Sequence, residues 1–249
     1  VQQLKEMGYD KVCIEKVMVT TESGLEAGAR SARYKALSEC AEKEKAVKIY
    51  LGHTLDDQAE TVLLGLARGS GARSLSAMAC ENGKYVRPFL GITRSMTEQA
   101  CADLGIDYWN DPHNSNLEFS RVKVRNEILP LMEAKLGPGI SAALARTAQL
   151  LRDDADALDQ IAAHEISTMD VASLDCERLL TLPRAIRSRV IRAAIYACGA
   201  PEGSITAEHV AAAEALVTSW SGQGALSLPG SVKVERISGR LSLSATAAT

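Results

Sequence analysis

The alternation of β-prone and helical segments over the first half of the chain is the feature that most narrows its fold. Val12, Ile14, Val17 and Val19 form a β-rich stretch, and the polar run from Thr20 to Gly24 breaks it. Glu26 to Lys45 is alanine-rich, with Ala29, Ala32, Ala36, Leu37 and Cys40 on one side of a helix, and Val47-Lys48-Ile49-Tyr50-Leu51-Gly52 reads as a buried strand after it. A second helix is expected from Leu55 to Ala67, ending at Arg68-Gly69-Ser70-Gly71. A strand follows near Tyr85 to Phe89. Ser95-x-x-Glu98 then reads as a capping box opening a third helix that ends at Gly105, and Ile106 to Trp109 as a further short strand. Strand, helix, strand in this order predicts an α/β domain with a doubly wound parallel sheet, because parallel neighbours need a crossover helix between them. Ligands of such domains gather at the carboxyl ends of the strands.

Gly137-Pro138-Gly139 interrupts this pattern, and alanine-rich helix follows it with no intervening strand. The boundary is therefore expected there, giving domains 1–136 and 137–249. Ile140, Leu144, Leu151, Leu158 and Ile161 recur at helical spacing to about Ser167. Helices are expected over Pro183 to Cys198 and Ala207 to Thr218, the latter capped by Thr206. Three short strands, Leu226 to Leu228, Val232 to Ile237 and Leu241 to Leu243, complete a second, smaller helical α+β domain, with an Ala/Thr tail that frays.

Charge and composition exclude several classes. With 28 Lys and Arg against 31 Asp and Glu there is no globally basic surface, so any nucleic-acid contact rests on local patches. No run of about 18 apolar residues exists to span a membrane and no secretory signal opens the chain, so no membrane partner and a cytoplasmic location are expected. Six cysteines without a C-x-x-C pair are expected as free thiols. Val1 and the Gln2–Gly8 stretch read as the last turns of a helix stopped by glycine, so the chain is expected to be a fragment.

The richest segment is Gly52-His53-Thr54-Leu55-Asp56-Asp57-Gln58-Ala59-Glu60-Thr61, where a strand ends and a helix begins. His53, Asp57, Glu60 and Leu64 share one helical face, and the polar members are expected to point away from the core. A carboxylate pair there can hold an amine, bind Mg²⁺ or accept a proton. Alternatively, Asp56 and Asp57 serve only as helix N-terminal acids. Zinc is disfavoured for want of further His or Cys ligands nearby, and no metal ligand is assigned. Arg68-Gly69-Ser70-Gly71 reads as a phosphate cradle or a plain helix stop. In the second half, Arg184, Arg187, Arg189 and Arg192 form a basic stripe opposite Ile186, Val190, Ala194 and Ile195. It is either a phosphate-facing surface or a solvated charged face. Tyr108 and Trp109 read either as core or as base-stacking rings, with the strand-end position favouring core.

Taken together, several pieces are specific. His53-Thr-Leu-Asp-Asp57-Gln-Ala-Glu60-Thr-Val-Leu-Leu, followed by Arg68-Gly-Ser-Gly71 and Leu75-Ser-Ala-Met78, closely resembles the signature of the tRNA(Ile)-lysidine synthetases, members of the N-type ATP pyrophosphatase superfamily with an adenine nucleotide alpha hydrolase-like fold. Glu26-Ala-Gly-Ala-Arg30-Ser-Ala-Arg33-Tyr34 resembles the family's E-A-x-A-R-x-x-R-Y stretch, and Arg87-Pro88-Phe-Leu-Gly-Ile-Thr-Arg94 its R-P-L-L-x-x-x-R. Asp111-Pro-His-Asn114, Arg121 and Arg125-Asn126-Glu-Ile-Leu-Pro130 resemble its D-P-x-N and R-x-x-x-R-x-x-x-L-P elements, and Leu228-Pro-Gly230 with Val234 to Leu243 its C-terminal strands.

The resemblance implies an ATP-dependent ligase that adenylates the wobble cytidine of a CAU-anticodon isoleucine tRNA, after which the ε-amine of free L-lysine displaces AMP to give lysidine. It implies ATP and Mg²⁺ as cofactors; a homodimer is one possible assembly, which the sequence does not decide. It assigns His53, Asp57, Glu60, Arg33 and Arg125 to catalysis, Asp57 and Glu60 to lysine, and Arg33 and His53 to ATP; the local basic patches make Arg121, Lys123 and Arg125, and Arg187 of the second-half stripe, the candidates for tRNA contact. The superfamily's S-G-G-x-D-S loop is not in the sequence and is expected upstream of Val1. The rival readings are another ATP pyrophosphatase that modifies tRNA, or a non-catalytic tRNA-binding or interaction module.

Overall fold

The computed structural model describes residues 1–20 and 24–245, and the chain divides into two compact units, Val1–Leu151 and Arg152–Thr249. The middle of the Thr20 to Gly24 loop and the end of the Ala/Thr tail lie outside the described residues.

The first unit opens with α1 (Gln2–Glu6) and α2 (Leu25–Lys43), then β1 (Ile49–Tyr50), α3 (Leu55–Ala67), α4 (Ala72–Leu75), β2 (Glu81–Asn82), β3 (Tyr85–Val86) and α5 (Arg94–Asp103). β1 and β3 pair in parallel, with Ile49 opposite Tyr85 and Tyr50 opposite Val86, while β2 pairs antiparallel with β3. The strand–helix–strand unit built from β1, α3 and β3 is thus present, and it brings the carboxyl end of β1 against the start of α3.

Two expected strands do not form. Val12 to Val19 is irregular, and Ile14 and Met18 are 77% and 92% exposed. A strand needs a neighbour to satisfy its backbone, and none lies beside this segment among the described residues. Its far end instead crosses α2 so closely that a Cβ on Gly28 would overlap the Thr20 carbonyl. Ile106 to Trp109 is also irregular: α5 ends in a left-handed Gly105 with the Ile106 N–H bonded back to the Cys101 carbonyl, which aims the chain away from the sheet. The α5 cap is Thr93, whose hydroxyl accepts from the Met96 N–H, so the helix starts earlier than the Ser95 box suggests and places Arg94 in its first turn.

After a 3₁₀ turn (Pro112–Ser115), α6 (Ser120–Lys123) runs into a π-helical segment (Val124–Ile128) and then α7 (Leu129–Leu136). Pro130 explains the π turn. It has no N–H for the Asn126 carbonyl and its ring crowds that carbonyl, so the Leu129 N–H reaches back five residues to Val124 instead.

α8 (Ile140–Ser167) starts directly after Gly137-Pro138-Gly139, and the Glu133 carboxylate caps it by accepting from the Gly139 and Ser141 N–H groups. The division between units falls inside this helix, at Leu151, rather than at Gly137. The reason is packing: Ile140 and Leu144 belong to the first unit's cluster with Ala59, Val124 and Leu129.

The second unit holds the rest of α8, then β4 (Ser173–Asp175), α9 (Cys176–Thr181), α10 (Arg184–Ala197), α11 (Ala207–Thr218), β5 (Leu226–Leu228), β6 (Val232–Ile237) and β7 (Arg240–Ala245). Its antiparallel sheet has the order β4-β7-β6-β5. Leu174, Cys176, Leu179, Val190, Ile191, Ala194, Ile195, Ala213, Val234 and Leu241 are completely buried between the sheet and the helices. β4 and α9 are additions to the expected elements, and Asp175 caps α9 by accepting from the Arg178 N–H.

Candidate active site

α3 begins where β1 ends, and its first turn builds the site. Thr54 and Asp57 form a capping box: Asp57 Oδ2 accepts from the Thr54 N–H at 2.8 Å and from its hydroxyl at 3.0 Å. The helix-acid reading of Asp57 therefore holds for this oxygen. Its other oxygen does something else, meeting Arg94 NH2 at 3.3 Å and Arg125 NH2 at 3.4 Å. Asp56 Oδ2 accepts from the Arg94 backbone N–H at 2.7 Å, which ties α5 to α3.

One turn on, Glu60 is 0% exposed. Arg125, carried by the π segment, grips it bidentately through Nε at 2.6 Å and NH2 at 3.0 Å. Arg121 stands 3.9 Å from Glu60 and from Glu26, and Arg94 also 3.9 Å from Glu60. The expectation that this polar face points away from the core is corrected: Asp57 and Glu60 are buried, and Arg94, Arg121 and Arg125 supply the counter-charge that burial requires. Burial pushes Asp57 upward, but the Thr54 hydrogen bonds and the charges of Arg94 and Arg125 outweigh it and leave its carboxyl below the usual range. For Glu60 burial wins over the Arg125 bonds, and its carboxyl is raised.

Beside this balanced cluster lies one of a single sign. His53 ends β1's loop, Arg87 is 6% exposed just after β3, and Arg30 and Arg33 project from α2. Tyr34 joins them, with Arg30 and Arg33 over its ring at 4.8 and 5.7 Å and its hydroxyl accepting from Arg30 and Arg87 at 3.4 Å each. Burial would raise the Tyr34 phenol, yet the Arg87 hydrogen bond and the three guanidinium charges bring it below its ordinary value. Burial lowers His53 to about 4; Asp57 opposes this, and Arg87, Arg33 and Arg30 add to it. Among the described residues none of Arg30, Arg33 and Arg87 has a carboxylate within 4 Å, and the buried Nε of Arg87 and Nδ1 of His53 have no hydrogen-bond partner. Uncompensated cations with idle polar atoms suit an anionic ligand.

The structure thus brings His53, Asp57, Glu60 and Arg125 together with Arg33 nearby. Sequence reasoning leaves Arg94, Arg87 and Tyr34 out of the site. Their signal is present nonetheless, in the two ends of the R-P-F-L-G-I-T-R stretch and in the tyrosine after Arg33. Arg187 has a different place from the basic stripe: its Nε and NH2 bind Glu214 at 2.8 Å and its NH1 the Leu182 carbonyl at 3.1 Å. That is an internal tie between α10 and α11, because a largely buried guanidinium on a buried carboxylate has no free edge for a phosphate. Arg189 is held by Asp159. Arg184, 80% exposed, and Arg192 line an open cavity of about 410 Å³ between α10 and α11. Arg68-Gly69 is a plain helix stop, with Gly69 left-handed and the Arg68 N–H on the Gly65 carbonyl.

Known proteins match both units. The PP-loop domain model matches residues 2–132 and the TilS substrate binding domain model residues 174–242. The tRNA(Ile)-lysidine synthase of Thermobifida fusca is 51% identical over 97% of this chain and 75% of its own length. That of Streptomyces coelicolor is 48% identical over 97% and 70%, and that of Leifsonia xyli 46% over 96% and 73%. A solved U34-tRNA thiolase, NcsA from Methanococcus maripaludis with its [4Fe-4S] cluster, aligns with 50% of this chain and 43% of its own at 22% identity, with a TM-score of 0.40. The ordered motifs, the buried carboxylate–arginine cluster at the start of α3 and relatives of about half identity over nearly the whole chain converge on one conclusion: the chain belongs to the tRNA(Ile)-lysidine synthase family.

Proposed function

We propose that the protein converts the wobble cytidine of a CAU-anticodon isoleucine tRNA to lysidine, using ATP and free L-lysine in the cytoplasm. The observation that carries this is the 48–51% identity to the lysidine synthases over 97% of this chain, and the site's chemistry agrees with it. The first unit supplies the reacting groups and the second helps to hold the tRNA.

ATP would supply the activation, by placing an adenylyl group on the cytidine that leaves as AMP. Arg30, Arg33 and Arg87 fit its phosphates, since they present positive charge without carboxylate partners, and His53 adds an unpartnered ring nitrogen beside them. Asp56, Asp57 and Glu60 each accept from arginine or backbone donors, and no step here runs through Mg²⁺.

Asp57 and Glu60 hold the ammonium groups of L-lysine. Since arginines occupy both carboxylates, lysine enters by exchange: one cation replaces another, the buried charge stays balanced, and Arg125 is released toward the tRNA. His53, neutral at physiological pH, offers an unpartnered ring nitrogen that can accept a hydrogen bond from lysine's amine. Arg121 and, once released, Arg125 contact the tRNA in this reading, and Arg184 and Arg192 replace Arg187 as the second unit's phosphate contacts.

The test is ATP-dependent incorporation of labelled lysine into a CAU-anticodon isoleucine tRNA by the intact protein. We expect incorporation with the natural substrate and none when the wobble base is uridine. Asp57→Asn is expected to lower the rate at least about 100-fold, since it removes the charge that lysine's ammonium needs, with an unchanged circular-dichroism spectrum. Wild-type protein that consumes ATP without labelling the tRNA would overturn the assignment.

A further inference from the structure

Arg94, which belongs to the ion-pair cluster, also lines a cavity of about 210 Å³ that the roles above leave unused. Arg94, Thr97 and Glu98 line it from one face of α5, at positions i, i+3 and i+4. Trp109 and Asn110 line it from the irregular segment that follows, and Asn114 from the 3₁₀ turn after it. The Trp109 indole is 79% exposed and the neighbouring Tyr108 ring 50%, so neither is the core residue that its place after a strand suggested.

Three features specify what such a hollow takes. Its volume suits one planar ring system rather than a whole nucleotide. Its aromatic wall offers a face for stacking, and its polar groups are those that read a base edge. The Glu98 carboxylate accepts hydrogen bonds only, which suits an amino-bearing base and repels a phosphate, while two asparagine amides can donate and accept. Position supplies the last argument. Arg94 forms part of the wall and its guanidinium also touches Asp57, so an occupant sits directly beside the reacting groups.

We propose that Trp109 is a base-stacking residue that seats an unpaired base of the anticodon loop next to the reacting cytidine, with the base edge toward Glu98, Asn110 and Asn114. This rests on the tRNA reading above and adds to it the surface that selects the loop. Enzymes that act on a base must take it out of its stack, and the bases splayed out in the process are held on aromatic rings. The exposed Trp109 indole on the cavity wall offers such a face.

The experiment measures binding of a CAU anticodon stem-loop RNA to the intact protein and to Trp109→Ala and Trp109→Phe. Base–aromatic stacking is worth about 1–3 kcal/mol, or roughly 5- to 150-fold in Kd. Trp109→Ala should therefore weaken RNA binding by about that factor and leave the KM for lysine and ATP within about twofold. Trp109→Phe should recover most of the affinity. In a Trp220→Phe background, where Trp109 is the remaining indole, adding the stem-loop should quench its fluorescence. Wild-type affinity in Trp109→Ala, equal losses in the alanine and phenylalanine variants, or unquenched fluorescence on saturation would each overturn the stacking role while leaving the enzyme assignment intact. Failure of the wild-type protein to bind the stem-loop at all would overturn both.

Discussion

The imidazole of His53 faces one carboxylate, Asp57, and three guanidinium groups, and burial decides the outcome by lowering it to about 4. The neutral ring that results at pH 7 is the form able to accept a hydrogen bond. The same shift links stability to pH. An unfolded His53 binds a proton below about 6.5, whereas the folded one resists until about 4, so over that window unfolding takes up a proton and stability falls as the pH is lowered. The full shift would correspond to about 3 kcal/mol; solvent around a half-buried ring reduces this to about 1–2 kcal/mol. Urea unfolding of His53→Gln should accordingly show a shallower loss of stability between pH 6.5 and 4.5 than wild type, by about 1–2 kcal/mol. Parallel curves for the two proteins would mean that the ring protonates as freely in the folded state as in the unfolded one. His53 and the Asp57–Glu60 spacing are visible in the sequence because they sit in one continuous motif. Arg94 and Arg125 come from α5 and the π segment, 34 and 65 residues beyond Glu60. Spacing along one helix cannot reveal partners that only the tertiary fold delivers.

At the scale of elements, legibility follows the source of the stabilising interactions. The expected limits of α3, α8 and α11 agree with the structure because their apolar periodicity and the Thr54 and Thr206 caps are local. The strands at Val12 and Ile106 fail because strand formation depends on a neighbour that propensity does not report. The π segment is the least legible element and the one closest to the chemistry. Its cause, Pro130, is one residue, and its consequence is the direction in which Arg125 points. Restoring the missing N–H with Pro130→Ala permits an ordinary α-helical bond to Asn126 and removes the extra residue of the turn, which rotates Arg125 relative to α7 by about 100°. We expect this variant to melt within a few degrees of wild type, since the helix gains a hydrogen bond as the Arg125–Glu60 pair is disturbed. Its lysine incorporation should drop at least about tenfold, as small displacements of a positioned group cost rate steeply. Wild-type turnover in Pro130→Ala would show that the π register has no part in placing Arg125.

The two units differ in what holds them together. The second encloses a continuous apolar core between α8, α9, α10, α11 and a four-stranded sheet, including ten side chains with no exposure at all. The first has a small cluster around Ala59, Val124 and Leu129, and much of its interior is the charged set of Asp57, Glu60, Arg94 and Arg125. No residue of either cluster belongs to the other unit, so their unfolding is expected to be separable even though α8 runs through both. Ile191→Ala isolates the point. Ile191 is completely buried in the second unit's core, and truncating such a side chain costs about 2–5 kcal/mol. In a unit of about 100 residues each kcal/mol lowers the melting temperature by about 4–8 °C. Differential scanning calorimetry of the whole chain should therefore resolve two transitions, of which Ile191→Ala lowers one by at least about 10 °C and moves the other by less than about 2 °C. A single transition that Ile191→Ala displaces as a whole would instead mean that α8 couples the two cores into one cooperative unit, and the charged interior of the first unit would then owe its stability to the apolar core of the second.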